Sequence, residues 1–143
     1  MSTKLKVAFL MDPLEKLDLK GDTSFALAFE AQERGHIIHH FTPDALILKS
    51  NKVLANICKF ELFQENGFYE YKYFEKKVKL LTDFDIVLMR QDPPFDMSYI
   101  TATHLLEKLP KETIVVNNPF EVRNAPEKIF VTNFPHLMPE TLI

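Results

Sequence analysis

The sequence predicts an α/β fold, in which a mainly parallel sheet carries helices on both faces. Two observations support this prediction. Short apolar runs, typical of buried strands, alternate along the chain with stretches of helical periodicity, and that alternation favours a parallel sheet. Polar residues also follow four of these runs directly, so parallel strands would gather them along one rim of the sheet: Asp12, Thr42 with Asp44, Arg90 with Asp92, and Asn117 with Asn118.

The first predicted element is a strand over residues 6–11, which the turn residues Asp12 and Pro13 end. A loop over residues 13–21 follows it. Connections between a strand and a helix usually have about 2–6 residues, and a longer loop is more often functional. We therefore expect this loop to take part in the site.

A helix is predicted next, because Asp22, Thr23 and Ser24 each offer a side chain that can cap its first turn. Gly35 is placed as the residue that follows the helix. The run Ile37–Phe41 predicts a second strand. Strand, helix and strand together form a βαβ unit, whose crossover is almost always right-handed.

The middle of the chain predicts a hairpin of strands over residues 45–48 and 53–59. Residues 68–74 alternate aromatic with charged side chains and predict an exposed edge segment. The tyrosines and lysines of this region resemble a stacking surface with cations, although net charge favours a solvated strand or a subunit contact. They are Tyr69, Tyr71, Tyr73, Lys72, Lys76, Lys77 and Lys79.

Two further strands are predicted over residues 84–89 and 113–116. Between them, a helix over residues 97–109 begins after the capping residue Asp96 and stops at a proline.

A short helix is predicted over residues 125–131, at the end of the alternating pattern. Asn124 is its expected cap. Pro126 lies in its first turn, where the missing N–H costs little.

The length, charge and apolar content of the chain limit the kinds of molecule that it is expected to bind. The 143 residues suffice for one domain with a substantial core and are too few for two. A net charge of −3 gives no sign of a general binder of nucleic acid or membrane surfaces. No apolar run reaches the length of about 18 residues that a membrane span needs. We therefore expect neither nucleic acid nor a membrane as a partner.

The numbers and positions of cysteine and glycine exclude a disulfide and a glycine-rich phosphate loop. The single cysteine, Cys58, excludes an internal disulfide and favours a reducing, cytoplasmic location. We expect its thiol to be inert. Gly21, Gly35 and Gly67 lie too far apart to form a phosphate-cradling loop. Residues 139–143 look like the start of an element, so we expect the chain to be part of a longer protein.

Arg90 is the strongest candidate for a binding residue. It directly follows a predicted strand and precedes Gln91, Asp92 and two prolines, which cannot pair further with the sheet. Ligands of open α/β sheets bind at the carboxyl ends of strands, so we expect Arg90 to meet an anion. The alternative is an ion pair with Asp92 or Asp96, which contributes only about 0–1 kcal/mol when exposed.

Three histidines, His36, His39 and His40, lie close together in the sequence. Neighbouring residues of a strand point to opposite faces, so they do not predict a metal site. We expect them at the surface or half-buried, and we assign no metal ligand to the chain.

Seven segments, in order along the chain, resemble the N-terminal domain of bacterial glutathione synthetase, with only residues 44–80 matching poorly. They are VAFLMDP (7–13), DTSFA (22–26), EAQERGH (30–36), MRQDPPFD (89–96), YITAT (99–103), VNNP (116–119) and NAPEK (124–128). The resemblance implies a Rossmann-like pre-ATP-grasp domain over residues 1–143. An ATP-grasp domain, with ATP and most ligands of Mg²⁺, would follow and is absent from this chain.

The resemblance also implies a function for the full-length protein. Members of the family ligate glycine to γ-glutamylcysteine through an acyl phosphate formed with ATP, and commonly form dimers or tetramers. It implies substrate binding by Arg90, Asp12 and Ser24, and contact between Lys128 and the ATP phosphates. It assigns no catalytic residue to this chain, which we expect to be inactive alone.

Two positions depart from the family pattern. Gln91 and Asn118 stand where the family usually has lysine. The loss of two cations predicts a less positive rim.

Two other functions remain open at this stage. The first is a receiver-like signalling module phosphorylated on aspartate, although Asn117 and Asn118 stand where such modules need a lysine. The second is a free-standing binding domain without a catalytic partner.

Overall fold

The computed structural model describes residues 3–142. Within them, one mixed sheet contains eight strands. The strands are β1 (Lys6–Leu10), β2 (Ile37–Phe41), β3 (Leu46–Lys49), β4 (Lys52–Glu65), β5 (Phe68–Tyr73), β6 (Lys77–Leu80), β7 (Ile86–Met89) and β8 (Ile114–Val116). The helices are α1 (Thr23–Glu33), α2 (Met97–Leu106), α3 (Pro119–Asn124) and α4 (Glu127–Phe130).

The predicted parallel sheet forms the half of the structure that carries the candidate site. β2, β1, β7 and β8 lie side by side and run parallel. In the register, Leu10 of β1 lies opposite Phe41 on one side and Met89 on the other. The strands therefore end at the same level, as the sequence predicts, and the βαβ unit β1–α1–β2 is confirmed.

The other four strands add an antiparallel part to the sheet. The predicted hairpin is confirmed as β3 and β4, which turn at Ser50 and Asn51 with φ of 49° and 60°. β4 is longer than predicted, and a second tight turn at Asn66 and Gly67 leads into β5. An Asn-Gly pair between apolar runs is a strong hairpin signal that the sequence interpretation overlooked. β6, which also pairs with β4, was not predicted.

Helices cover both faces of the sheet, as predicted. Successive residues of β1 point to opposite faces, so Phe9 packs with Phe25 of α1 while Leu10 packs with Leu106 of α2. No helix within residues 3–142 combines the length and apolar character needed to cross a bilayer.

The prediction of an exposed edge segment over residues 68–74 is right for the strand β5 and wrong for its tyrosines. β5 is an edge strand that pairs with β4, as expected, and its charged residues are exposed. Its tyrosines Tyr69, Tyr71 and Tyr73 are half-buried against the core beneath α1, and the rings of Tyr69 and Phe25 lie 5.0 Å apart. The alternation of the strand turns every second side chain inward.

The predicted position of the histidines needs a similar correction. His36 is half-buried, but His39 and His40 are buried, with 5% and 4% of their surfaces exposed. They do point to opposite faces: His39 packs edge-on against Phe84, and His40 lies beside Tyr73. β2 is an inner strand, so both of its faces are covered.

Beyond β7, the helix boundaries differ from the predicted ones. α2 begins after its predicted cap Asp96 but ends three residues early, at Leu106. α3 was not predicted. Asn124 is its last residue, so the prediction that Asn124 caps the following helix is wrong. That helix, α4, starts directly after Pro126, and this proline's closed ring cannot provide a side-chain cap.

Candidate functional site at the carboxyl edge of the sheet

Three parallel strands are tied together at the edge where the predicted polar residues lie. The backbone N–H of Arg90 donates to the carbonyl of Leu10 at 2.7 Å, and that of Met11 donates to the carbonyl of Phe41 at 3.2 Å. Asp12 follows Met11 directly. The structure thus places Asp12 and Arg90 at the ends of adjacent strands, and both side chains are half-buried.

The guanidinium of Arg90 is bound to the first turn of α1. Its Nε donates to Ser24 Oγ at 3.1 Å and its Nη2 donates to Thr23 Oγ1 at 2.6 Å. Of the three predicted caps, only Asp22 has that role, since its Oδ1 accepts from the N–H of Phe25 at 2.8 Å. One helix end accommodates one such cap, and Thr23 and Ser24 are therefore available to hold the arginine.

The alternative of an Arg90 ion pair is not observed. Among the side chains that the structure describes, no carboxylate oxygen lies within 4 Å of the Arg90 guanidinium. Asp96 instead caps α2 by accepting from the N–H of Tyr99 at 3.0 Å. A guanidinium has five N–H donors, and those not bonded to Thr23 and Ser24 are available to an anion. The positive end of the α1 dipole acts in the same direction.

The loop that follows Asp12 is held by the β4–β5 hairpin. The N–H of Leu14 donates to the hydroxyl of Tyr73 at 3.1 Å. Burial raises the pKa of Tyr73, so the hydroxyl stays protonated. Sequence reasoning did not connect Tyr73 with the site, because residues 14 and 73 meet only through the fold.

Lys128 lies apart from the Arg90 cluster, on the exposed side of α4. It faces a cavity of about 460 Å³, here called the junction cavity. The residues that line the junction cavity are Pro93, Pro94, Phe95, Tyr99, Val122, Ala125, Pro126, Lys128 and Ile129. The structure therefore brings Lys128 to the loop that follows Arg90, although no cavity described here is lined by both cations.

Tyr99 lies between the two parts of the site, and sequence reasoning missed it. Its ring lines the junction cavity. Burial raises the pKa of its hydroxyl, the charge of Asp92 raises it further, and the Arg90 charge opposes them. Tyr99 is thus within electrostatic reach of both residues. Its position at the start of α2, three residues after the cap, was the available signal.

Comparison with known proteins identifies the family. The domain family described as prokaryotic glutathione synthetase, N-terminal domain, matches residues 5–123. The chain belongs to this family. A glutathione synthetase from Mesorhizobium japonicum is 54% identical over 140 residues, which cover 98% of this chain and 44% of that protein. One from Brucella melitensis is 53% identical over 139 residues, covering 97% and 44%.

A more distant relative gives the same assignment. The glutathione synthetase of Vibrio parahaemolyticus is 40% identical over 141 residues, covering 97% of this chain and 44% of that protein. The chain thus spans less than half the length of the curated relatives it matches. Family membership confirms the resemblance read from the sequence and decides against the receiver-like alternative.

The structure gives Asn118, but not Gln91, a clear role at the two positions that depart from the family pattern. Asn118 accepts through Oδ1 from the N–H groups of Phe120 and Glu121, at 3.0 and 3.4 Å, and so caps α3. Gln91 is buried, with 8% of its surface exposed. Its Oε1 has no hydrogen-bond partner among residues 3–142. In this chain, therefore, the Asn118 side chain caps a helix and the Gln91 side chain is buried.

Proposed function

We propose that this chain is the substrate-side domain of a glutathione synthetase, which joins glycine to γ-glutamylcysteine at the expense of ATP. Family membership and the shared name of the relatives support the reaction. The observation that carries the role of this chain is the Arg90 guanidinium, which is held by Thr23 and Ser24 with donors left over at the carboxyl edge of the sheet.

Arg90 binds a carboxylate of the dipeptide in this proposal. Contacts between arginine and carboxylate are charge-assisted and often bidentate, so they fix orientation as well as affinity. Ser24 is 95% buried beneath the arginine, and its hydroxyl acts chiefly by positioning Arg90 toward the substrate. Asp12, at the end of the adjacent strand, supplies the opposite charge for the α-amino group of the γ-glutamyl moiety.

Lys128 contacts the ATP phosphates from the edge of the junction cavity. Its exposed position on α4 fits one phosphate contact. The described part of the chain, within residues 3–142, contains no group of three His, Cys, Asp or Glu placed to hold a metal. We propose that a following ATP-grasp domain supplies the ligands of Mg²⁺ and most contacts to the nucleotide.

The proposal extends to the setting of the full-length enzyme. Ligation needs the ATP-grasp domain, so this chain alone is inactive. The enzyme works in the cytoplasm, which the single buried thiol of Cys58 favours, as a dimer or tetramer with small-molecule substrates.

The test measures ligation by the full-length polypeptide that contains this chain. ADP formation should require both γ-glutamylcysteine and glycine. Arg90→Ala should raise the KM for the dipeptide by roughly tenfold or more, as loss of a charge-assisted contact predicts, while the KM for ATP changes little. Arg34→Ala is the matched control, because Arg34 is exposed and pairs with Glu30 on the surface of α1.

Two results would contradict the proposal. Full-length protein that consumes no ATP with the two substrates would reject the reaction. A correctly folded Arg90→Ala enzyme with an unchanged dipeptide KM would remove Arg90 from the binding site. Thermal melting of each variant, together with Arg90→Lys, which keeps the charge, separates loss of binding from loss of folding.

A further inference from the structure

A second polar cavity lies at the opposite, amino-terminal edge of the sheet. It has a volume of about 370 Å³, and its lining residues are Lys6, Ile37, His39, Lys79, Asp83 and Phe84. Lys6 begins β1 and Leu10 ends it. At roughly 3.3 Å per residue, the strand separates this cavity from the carboxyl edge by about 13 Å. The cavity, here called the lysine cavity, is therefore distinct from the Arg90 site.

His39 contributes a buried polar atom with an unused bonding position. The residue is 95% buried, and its ring packs edge-on against Phe84 at 4.9 Å between centroids. Its Nδ1 has no hydrogen-bond partner within residues 3–142. A polar atom left unpaired in a protein interior carries a desolvation penalty.

The charge around His39 is positive. Burial lowers the pKa of His39 to about 4, and the nearby ammonium groups of Lys79, Lys59 and Lys6 add to this effect. Two of the three lysines, Lys6 and Lys79, line the cavity. Within residues 3–142, neither has a carboxylate oxygen within 4 Å of its ammonium group.

Two carboxylates lie at or beside the lysine cavity. Asp83 is the single carboxylate among the lining residues, against two lysines. Asp85 is adjacent, but its Oδ2 accepts from the backbone N–H of Lys6 at 2.7 Å. Lys59 lies opposite His39 in the register of β2 and β4 and is paired with Glu61 at 2.6 Å. Among the residues that line the lysine cavity, lysines therefore outnumber carboxylates by one.

We propose that the lysine cavity binds a phosphate-class oxyanion. Lys6 and Lys79 supply the positive charge. His39 lines the same cavity, and a neutral imidazole has one donor and one acceptor nitrogen, so a ligand that can both accept and donate suits either tautomer. A phosphate group that keeps one proton at neutral pH does both. Free phosphate and a small phosphate monoester share the anionic oxygens that the lysines would bind, but a monoester, whose second pKa is about 6, has lost most of its donating proton at neutral pH. The site is independent of the proposed ligase activity.

The test is titration of the chain with inorganic phosphate, followed by calorimetry and by NMR of the histidine rings. Phosphate should shift the His39 resonances and leave those of exposed His136 unchanged. Lys79→Ala should weaken phosphate binding roughly tenfold, as expected for loss of one charged contact. Lys49→Ala is the matched control, since it removes the same charge from the exposed end of β3, and it should bind phosphate like the wild type.

Glycerol 3-phosphate, titrated in the same way, identifies the source of the ligand. Binding at least as tight as that of inorganic phosphate supports a monoester, and weaker binding supports free phosphate. The proposal is overturned if wild-type chain shows no His39 shift at millimolar phosphate, or if Lys79→Ala and Lys49→Ala bind phosphate equally. The wild-type spectrum decides the question even where a variant fails to fold.

Discussion

Arg90 and Ser24 are 66 positions apart in the sequence and are joined by a hydrogen bond of 3.1 Å between Nε and Oγ. Arg90 follows β7 and Ser24 lies in the first turn of α1, so the bond connects a strand end to the helix that crosses from the neighbouring strand. An arginine on a loop loses considerable side-chain entropy when it orders on a ligand. In this structure much of that ordering has occurred before any ligand binds.

The first prediction concerns this preorganisation. Ser24→Ala in the full-length enzyme should weaken binding of γ-glutamylcysteine by about fivefold, because loss of one hydrogen bond of about 1 kcal/mol frees the guanidinium. Calorimetric titration with the dipeptide measures the effect. Ser98→Ala, at an exposed serine in the first turn of α2, should bind normally. Equal affinities of the two variants would show that Ser24 does not position Arg90.

The second prediction is a pH dependence of stability. The pKa of His39 is lowered to about 4 from 6.5 by burial and by nearby lysines. Between these values the unfolded chain binds a proton that the folded chain does not. The free energy of unfolding should therefore decrease as the pH falls from 6.5 to 4, with His39 contributing about 3 kcal/mol, and this contribution should be constant above pH 6.5.

Urea unfolding of wild type and His39→Gln over this pH range measures the effect. The variant should show a shallower loss of stability toward low pH, whatever its stability at neutral pH. His136→Gln, at an exposed histidine, should parallel the wild type. A His39→Gln curve that also parallels the wild type would mean that folding does not lower the pKa of His39.

The third prediction concerns the loop after Asp12. Tyr73→Phe removes the hydroxyl that accepts from the Leu14 N–H and leaves that N–H without its partner. We expect a loss of about 1–2 kcal/mol in the free energy of unfolding and faster amide exchange at Leu14. Tyr69→Phe is the control, since the Tyr69 ring packs against Phe25 and has no hydroxyl bond among the described hydrogen bonds. Unchanged exchange at Leu14 in Tyr73→Phe would contradict the contact.

The fourth prediction compares two asparagines near α3. Asn118→Ala should destabilise the chain by about 1 kcal/mol, the usual cost of losing an N-cap. Asn124→Ala should cost less, because Asn124 is the last residue of α3 and caps no helix. Thermal or urea unfolding distinguishes them. If Asn124→Ala lowers the free energy of unfolding more than Asn118→Ala does, Asn124 caps the following helix, as the sequence suggested.

Short-range patterns in the sequence were sufficient to predict most of the parallel half of the fold. Apolar runs and helix caps depend on neighbours within a few residues: Asp96 caps its helix as predicted, and Asp22 is the one of three predicted caps that does so. The Asn124 cap failed because Asn118, followed by Pro119, starts an earlier helix that occupies Asn124. The buried His39 and His40 were misjudged because their polar side chains suggested exposure, whereas an inner strand covers both faces.

The amino-acid order alone was enough to establish the α/β class, the family and the placement of Arg90 at a strand end, since each depends on short-range pattern or on motif order. The partners of Arg90, the attachment of the Asp12 loop to Tyr73 and the lysines around His39 emerged only once the chain was folded. Each joins residues far apart in the sequence, and which side chains meet across such a distance depends on sheet register and helix packing, which local sequence does not encode.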